Sequence, residues 1–181
     1  GIVEEKRIID GTQIEQGDIV IGLPSSGLHT NGYTLARKII FEIKKFNLSD
    51  VPQGLSRPIA EEMLEPHRCY YDVLNHFFSE GFIIKGIAHI TGGGLIENIP
   101  RILPQGCSAV INKKAMPVPA IFSLLESWGP VEEMEMYRVF NMGIGMVLIV
   151  GASDADKALK KARLFYPESR IIGEIIEGEQ K

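Results

Sequence analysis

The stretch Gly22-Leu-Pro-Ser-Ser-Gly-Leu-His-Thr-Asn-Gly-Tyr33 carries a dense set of groups suited to ligand chemistry. Hydroxyl, amide and imidazole side chains alternate there with glycines, between an apolar strand-like run and a helical pattern. Glycine lets a backbone approach a ligand closely, and N–H groups at a helix start attract anions, so the stretch suits a phosphorylated ligand. A structural turn in which Thr30 or Asn31 caps the helix is the alternative. Four residues are assigned to ligand binding: Ser25, Ser26, Gly27 and Asn31.

His29 is the candidate catalytic residue of this stretch. An imidazole titrates near neutral pH, so it could act as a general base or donate to a phosphate. A satisfied structural histidine is the alternative, and His89, at the end of another predicted strand, raises the same question. His67 and His76 lie nine positions apart on one predicted helix. Because that spacing places them on opposite faces, neither is assigned a role.

A second run, Thr91-Gly-Gly-Gly94, follows another apolar segment. Such a run at a helix start can present several N–H groups to one anion, and a tight turn alone does not need three successive glycines. The run lacks the Gly-Lys-Ser/Thr ending of a P-loop. Thr91, Gly92, Gly93 and Gly94 are therefore assigned to binding a phosphate-like anion. A third segment, Asn141–Gly145, is explained by a helix stop with Gly143 as the cap.

The sequence offers no convincing metal-binding cluster. The acidic run at 132–135 falls in the first turn of a predicted helix, where carboxylates compensate the helix dipole. The two cysteines, Cys69 and Cys107, are too few for a disulfide scaffold or a structural zinc site. Cys69 is predicted to be buried within an apolar helical pattern. No metal ligand is assigned to this chain.

Composition narrows the classes of function. The net charge is −4 and basic residues do not cluster, so nucleic acid is not an expected partner. No apolar run approaches the length of a membrane span, and the first residues lack the layout of a signal peptide. A soluble cytoplasmic protein without a membrane partner is expected.

The periodicity of the sequence predicts an α+β fold, a mixed β-sheet covered by helices. The apolar stripes of the helices at 34–45 and 66–80 are expected to cover one face of the sheet. Strands and helices alternate after residue 82, which predicts a partly ferredoxin-like βαβ order. Strands are predicted at Val3–Ile9, Asp18–Leu23, Phe82–Ile90, Cys107–Ile111, Gly145–Val150 and Arg170–Ile176. Further helices are predicted at Pro119–Trp128, Val131–Val139 and Asp154–Phe165. A short helix is also predicted to begin within Gly92–Gly94 and to end at Pro100–Pro104.

The expected organisation has three parts. Residues 1–16 form an interdomain strand or hairpin segment, residues 17–177 form the α+β domain, and residues 178–181 form a frayed tail. The chain begins with Gly1 inside a predicted strand. That beginning suggests a piece of a larger protein.

Three motifs, GLPSSGLHTNGYTLARK, HITGGGLIENIPR and RVFNMGIGM, occur in this order. In order and spacing they resemble the C-terminal domain of the phosphoribosylformylglycinamidine cyclo-ligase family, also called aminoimidazole ribonucleotide synthetases. The resemblance covers essentially all 181 residues, and residues 1–9 resemble the strand that joins two domains. It implies an N-terminal domain, absent from this chain, with acidic residues for Mg²⁺ and the ATP phosphates. It also implies a homodimer of the complete enzyme.

The family reaction closes an imidazole ring in purine biosynthesis. By the resemblance, ATP and formylglycinamidine ribonucleotide are the ligands, and aminoimidazole ribonucleotide, ADP and phosphate are the products. The resemblance places Ser25, Ser26, Gly27, His29 and Asn31 in the cleft between domains, in contact with substrate or nucleotide. Thr91–Gly94 would hold a phosphate. Which loop holds which ligand is left open.

Two classes of alternative stay open. Selenophosphate synthetase, thiamine-monophosphate kinase and the hydrogenase-maturation dehydratase share the two-domain architecture and use ATP. The combination of Ser25–His29 with Thr91–Gly94 argues against them, because their corresponding loops differ. A non-catalytic binding module is the other alternative, in which the polar groups of Ser25, His29 and Asn31 would be superfluous.

Overall fold

The structure, a computed structural model, describes residues 3–179. The strands are β1 (Ile19–Pro24), β2 (Gly86–His89), β3 (Cys107–Ile111), β4 (Ile144–Val150) and β5 (Arg170–Glu177). The α-helices are α1 (Tyr33–Arg37), α2 (Ile59–Met63), α3 (Tyr71–Ser79), α4 (Gly94–Asn98), α5 (Ala120–Trp128), α6 (Glu133–Val139) and α7 (Ala155–Phe165). A π-helical turn at Lys38–Ile43 extends α1, and 3-10 turns occupy Glu5–Arg7, Pro100–Ile102, Lys113–Ala115 and Ala152–Asp154.

The five strands form one sheet in the order β2-β4-β1-β5-β3. The α+β class and the βαβ order after residue 82 are confirmed, but the mixed sheet is wrong, because every neighbouring pair is antiparallel. Strands β4 and β5 run in the same direction, as the βαβ order predicts. However, β1 lies between them and is antiparallel to both, so the parallel strands never become neighbours.

Helices cover both faces of this sheet. Every residue of β4 is buried, which is typical of a strand packed on two sides. Val147 and Ile149 belong to a first core that also receives α1, α2 and α5. Met146 and Leu148 belong to a second core, formed with α3 and α7.

The expectation that the helices at 34–45 and 66–80 share one face is wrong. Ile39, in the π-helical turn after α1, packs in the first core, whereas Phe77 of α3 packs in the second. Successive strand residues point to opposite faces, so Val20 and Ile21 of β1 offer apolar surface on both sides. An apolar stripe predicts that a helix is covered, but it does not predict which face covers it.

The predicted strand at Val3–Ile9 is also wrong within the described residues. A 3-10 turn occupies Glu5–Arg7, and residues 3–16 contain no strand, whereas residues 1 and 2 lie outside the description. Four successive charged residues at 4–7 interrupt the apolar alternation that a half-buried strand needs. The role of residues 1–16 as an interdomain segment stays a prediction.

Three other boundaries differ from the predicted ones. The helix expected from Pro66 begins only at Tyr71, and the strand expected over Phe82–Ile90 is limited to β2. Of the expected frayed tail, Gly178 N donates a hydrogen bond to Gly106 O, while residues 180 and 181 lie outside the described residues. The later start of the helix matters most, because residues 66–70 lie outside it and contact the loop after β1.

Candidate functional site

The two glycine-bearing loops leave the same end of the sheet. The first loop (residues 25–32) follows β1, and the second loop (residues 91–94) follows β2. Both strands flank the start of β4, where Pro24 pairs with Ile144 and His89 pairs with Met146. The fold therefore places the two loops on either side of the turn that leads into β4, the α6–β4 turn (residues 140–143).

Asn141 of the α6–β4 turn fixes the first loop. Its side chain is fully buried. The amide oxygen accepts hydrogen bonds from Ser25 Oγ at 2.8 Å and from Gly143 N at 2.9 Å. The amide nitrogen donates to Gly27 O at 2.8 Å and to Leu28 O at 3.2 Å. Gly143 has a positive φ, but its predicted role as the helix cap is wrong, because α6 ends at Val139 with Phe140 as its C-cap. The organising role of Asn141 was not predicted.

His29 is held inside the first loop as a neutral imidazole. The side chain is 4% exposed, and its Nε2 accepts a hydrogen bond from Ser26 N at 3.0 Å. A neutral ring that accepts at Nε2 carries its hydrogen on Nδ1. Burial, reinforced by the nearby His67, His89 and Arg68, lowers the pKa of His29 to about 3. At neutral pH the ring therefore offers a hydrogen-bond donor at Nδ1.

Two buried side-chain atoms of the first loop have no hydrogen-bond partner among the described residues: His29 Nδ1 and Asn31 Oδ1. The other end of the Asn31 amide is satisfied, because Nδ2 donates to Val139 O at 3.3 Å. Buried polar atoms are nearly always paired, and an exception indicates a missing water, ion or ligand. The first loop thus presents one unused donor and one unused acceptor.

His67 joins this site, although the sequence assigned it no role. The helix on which His67 was placed starts later, so the residue lies in the segment before α3. Its ring stacks on His29 with centroids 3.9 Å apart, and its Nε2 lies 3.1 Å from His89 Nε2. Burial and the neighbouring His89 lower the pKa of His67. His76, by contrast, faces Glu80 on α3, away from the loops.

Tyr70 and Gly145 form the part of the site wall next to the ring of His29. Tyr70 Oη donates to Pro24 O at 2.8 Å, and burial raises the pKa of the Tyr70 phenol. A Cβ atom on Gly145 would lie 1.9 Å from Tyr70 Oη and 2.6 Å from His29 Cε1. Position 145 therefore admits only glycine while both rings stay in place. Tyr70 belongs to the apolar stripe predicted at 66–80, but the sequence gave no signal for its contact with the loop.

The serines of the first loop bond within the protein. The hydroxyl of Ser25 donates to Asn141, and that of Ser26 donates to Pro66 O at 2.7 Å. Ser26 thereby ties the first loop to the segment that carries His67. In this conformation both hydroxyls have used their hydrogen and can only accept a further hydrogen bond.

The second loop is a tight turn closed by Asn98 of α4. Its amide nitrogen donates to Gly94 O at 2.7 Å and to Gly92 O at 3.2 Å, and Thr91 Oγ1 donates to its amide oxygen at 3.1 Å. Gly93 and Gly94 have positive φ angles. A Cβ atom on Gly94 would lie 2.0 Å from Tyr137 O, whereas one on Gly92 would meet no atom within 4 Å. Packing thus requires glycine at position 94, and Gly92 faces open space.

The structure therefore brings the predicted site residues together at one end of the sheet. The rings of His29, His67 and His89 link the first loop to the strand end before Thr91. Within the described part of the chain, no group of three or more His, Cys, Asp or Glu side chains is arranged to hold a metal ion. Cys69 is exposed, so its predicted burial is wrong. None of the described helices has the length and apolar character needed to cross a membrane.

Comparison with known sequences gives one consistent result. The model of the family described as "AIR synthase related protein, C-terminal domain" matches residues 15–181. A phosphoribosylformylglycinamidine cyclo-ligase from Syntrophus aciditrophicus is 48% identical over 176 residues, which is 97% of this chain and 50% of that protein. The enzyme of the same name from Caldanaerobacter subterraneus is 49% identical over 99% of this chain and 53% of its own length. The chain thus spans about half the length of these relatives.

Solved structures share the fold at much lower identity. The hydrogenase maturation protein HypE aligns with a TM-score of 0.60 and 17% identity, over 97% of this chain and 49% of HypE. A PurL from T. maritima, solved in complex with AMPPCP, aligns with a TM-score of 0.54 and 14% identity, over 97% of this chain and 24% of that chain. At such identities the likeness concerns the fold alone.

Proposed function

Because the chain belongs to the family of AIR synthase related proteins, as a C-terminal domain, we propose that it forms the C-terminal half of a phosphoribosylformylglycinamidine cyclo-ligase. The observation that carries this proposal is the identity of 48–49% with relatives of that name over nearly the whole chain. Identity to HypE and PurL is only 14–17%. A cyclo-ligase is thus favoured over other enzymes that share the fold.

In the proposed reaction, the amide oxygen of formylglycinamidine ribonucleotide attacks the γ-phosphorus of ATP, and ADP leaves. A nitrogen of the amidine then attacks the activated carbon, the C–O bond breaks, and phosphate departs with that oxygen. Loss of the protons of the amide nitrogen and of the attacking nitrogen, with transfer of one methylene proton to the exocyclic imine nitrogen, then gives aminoimidazole ribonucleotide. Such chemistry depends on positioning the phosphates and stabilising their charge. The two loops at one end of the sheet would supply that positioning.

We assign the unsatisfied groups of the first loop to the ligand. His29 Nδ1–H would donate to a phosphate or carbonyl oxygen, and Asn31 Oδ1 would accept from an N–H or hydroxyl group. The Nε2 lone pair of His29 is engaged by Ser26 N, and its pKa of about 3 makes it a weak base. The geometry therefore favours His29 as a donor over His29 as the general base. Thr91–Gly94 would hold an anion beside it, with Gly92 open to close approach.

The proposal also covers the Mg²⁺ ion, the N-terminal domain, the oligomeric state and the location of the enzyme. Mg²⁺ would not be held by the loops described here, because their side chains are amides, hydroxyls and imidazoles, while Mg²⁺ prefers carboxylates and phosphates. We place its ligands, with most of the ATP contacts, in the N-terminal domain that the relatives' extra length could hold. A homodimer and a cytoplasmic location complete the proposal.

An apolar groove beside the second loop is a candidate docking surface for the N-terminal domain. It has a volume of about 610 Å³ and is lined by residues of α4, β3 and α6, among them Leu95, Ala109 and Met134. A domain that covered this groove would also enclose the second loop. We therefore propose that the N-terminal domain covers the groove.

Reconstitution would test the proposed activity. The 181-residue chain is mixed with the N-terminal half of the Syntrophus aciditrophicus relative, and formation of the aromatic amine product is followed with Mg-ATP and formylglycinamidine ribonucleotide. We expect activity from the mixture only, its loss in Asn31→Ala, and no change in Lys160→Ala on the distant helix α7. Binding of the ribonucleotide to the chain alone, measured by calorimetry, would show a preformed half-site. An inactive mixture, together with no activity when the two halves are fused in one chain, would refute the proposal.

A further inference from the structure

The pair His67 and His89 forms a second arrangement with its own chemistry. The Nε2 atoms of the two rings lie 3.1 Å apart, although the residues come from different elements, the segment before α3 and the end of β2. His89 is exposed and His67 is half-buried, so the gap between the nitrogens is accessible from solvent. Nothing in the proposed ring closure uses this pair.

We propose that His67 and His89 chelate a divalent transition-metal ion of the Zn²⁺ type. Zn–N bonds are about 2.05 Å long, so two nitrogens separated by 3.1 Å subtend roughly 100° at the ion. That angle lies between the values of about 90° and about 109° for octahedral and tetrahedral sites. Neutral imidazole is a preferred ligand of such ions.

Contacts with the rest of the protein restrict the movement of this pair. His67 stacks on the buried ring of His29, and Ser26 Oγ binds the neighbouring Pro66 O. The backbone of His89 is fixed by the pairing of β2 with β4, through Met146. Because the His67 ring is packed and the His89 backbone is held, metal binding orders less of the chain than it would in an open loop. Two protein ligands leave the remaining coordination positions to water or to a ligand bound at the loops.

Without metal, the same distance suits a hydrogen bond between the two rings. One Nε2 then donates and the other accepts. Metal binding requires both Nε2 lone pairs, so the donating ring must move its hydrogen to Nδ1. This tautomer change releases no proton as long as both rings are neutral.

Titration of the 181-residue chain with Zn²⁺, and separately with Co²⁺ as a spectroscopic probe, tests the proposal. We expect one equivalent to bind, with Co²⁺ showing d–d bands and no thiolate charge-transfer band. His67→Ala and His89→Ala should each weaken binding by at least about tenfold, because each removes one of the two protein ligands. His76→Ala is the matched control and should leave the affinity unchanged. Circular dichroism verifies that each variant is folded, and His67→Ala carries the test if the strand variant is not.

Three results would overturn the proposal. The first is the absence of binding at micromolar metal, which would leave a hydrogen bond between the rings as the only interaction. The second is binding that persists in His67→Ala. The third is a thiolate band that disappears in Cys69→Ser, because the exposed Cys69, two positions from His67, would then be the ligand. None of these measurements depends on the cyclo-ligase activity.

Discussion

The two glycine-bearing loops are alike in composition but are held in place by different means. The bonds of Asn141 to the first loop span 113 to 116 positions of sequence. The bonds of Asn98 within the second loop span four to seven positions. The hydrogen bonds that shape the first loop therefore depend on the whole fold, whereas those that shape the second loop are local.

The loops also differ in what they leave unsatisfied. Among the described residues, the buried side-chain atoms without a partner, His29 Nδ1 and Asn31 Oδ1, both belong to the first loop. The side chains of Thr91 and Asn98 satisfy one another in the second loop. A turn whose side chains satisfy one another thus stands beside a loop that keeps two unpaired buried polar atoms. This difference predicts distinct responses to substitution.

The largest effect is expected at the second loop, from Gly94→Ala. A Cβ atom there would overlap Tyr137 O at 2.0 Å, and the φ of +58° disfavours any other residue. Steric overlap with backbone and a left-handed φ together should lower the free energy of unfolding by about 3–5 kcal/mol. Gly92→Ala is the matched control and should change it by less than about 0.5 kcal/mol. Urea unfolding of both variants measures the difference, and equal losses would contradict the assigned packing.

Asn141→Ala should have the next largest effect. It leaves the carbonyls of Gly27 and Leu28 and the N–H of Gly143 buried without their partner. We expect a loss of about 3 kcal/mol, because each unsatisfied buried group costs about 1–3 kcal/mol and the loop can partly relax. The counterpart in the second loop, Asn98→Ala, should cost about 2 kcal/mol.

Hydrogen exchange distinguishes the two asparagines. The Gly143 amide should exchange faster in Asn141→Ala and at the original rate in Asn98→Ala, since the latter side chain bonds only within residues 91–98. Faster exchange of Gly143 in both variants would show that the loops are not held independently.

This contrast also explains which features of the two loops could be predicted from the sequence. The second loop was placed correctly between a strand and a helix, because turn chemistry is local. The partners of the first loop were missed, because Asn141 and His67 reach it only after β1, β2 and β4 have paired. The position of His67 was misjudged for a related reason. The segment at 66–70 has a helical apolar pattern, yet it lies outside α3 and contacts the first loop.

In the sheet, likewise, the positions of strands could be predicted from local sequence, whereas their order could not. Alternating strands and helices predicted the α+β class, and the strand positions after residue 100 agree with the structure to within one residue. The insertion of β1 between β4 and β5 has no local signal, because β1 precedes both by more than a hundred positions. Which face each helix covers is likewise decided by packing.

A smaller effect is expected from the titration of His29. Its folded-state pKa of about 3 lies below the ordinary value of 6.5, chiefly because of burial. Between these values the unfolded chain takes up a proton that the folded chain does not. The stability that the neutral His29 ring contributes is therefore fully present above pH 6.5 and is lost as the pH falls towards 3. Between pH 7 and pH 4, wild type should lose about 2–3 kcal/mol more than His29→Gln.

Urea unfolding at both pH values gives the comparison. Subtracting the pH dependence of the unfolding free energy of His29→Gln from that of wild type removes the contribution of carboxylates that titrate in the same range. The Gln side chain keeps an acceptor for Ser26 N, so the bond that closes the loop can persist. Parallel pH profiles would mean that His29 is accessible to protons, and the loop would then be open in solution.

The smallest effect separates two neighbouring serines of the first loop. Ser25 is buried and its hydroxyl belongs to the Asn141 network, so Ser25→Ala leaves one lone pair of Asn141 Oδ1 unused and should cost about 1–2 kcal/mol. Ser26 is half-exposed, and water can replace its bond to Pro66 O, so Ser26→Ala should cost about 0.5 kcal/mol or less. Chemical unfolding measures both values. A larger loss for Ser26→Ala would show that the segment at 66–70, rather than the α6–β4 turn, determines the shape of the first loop.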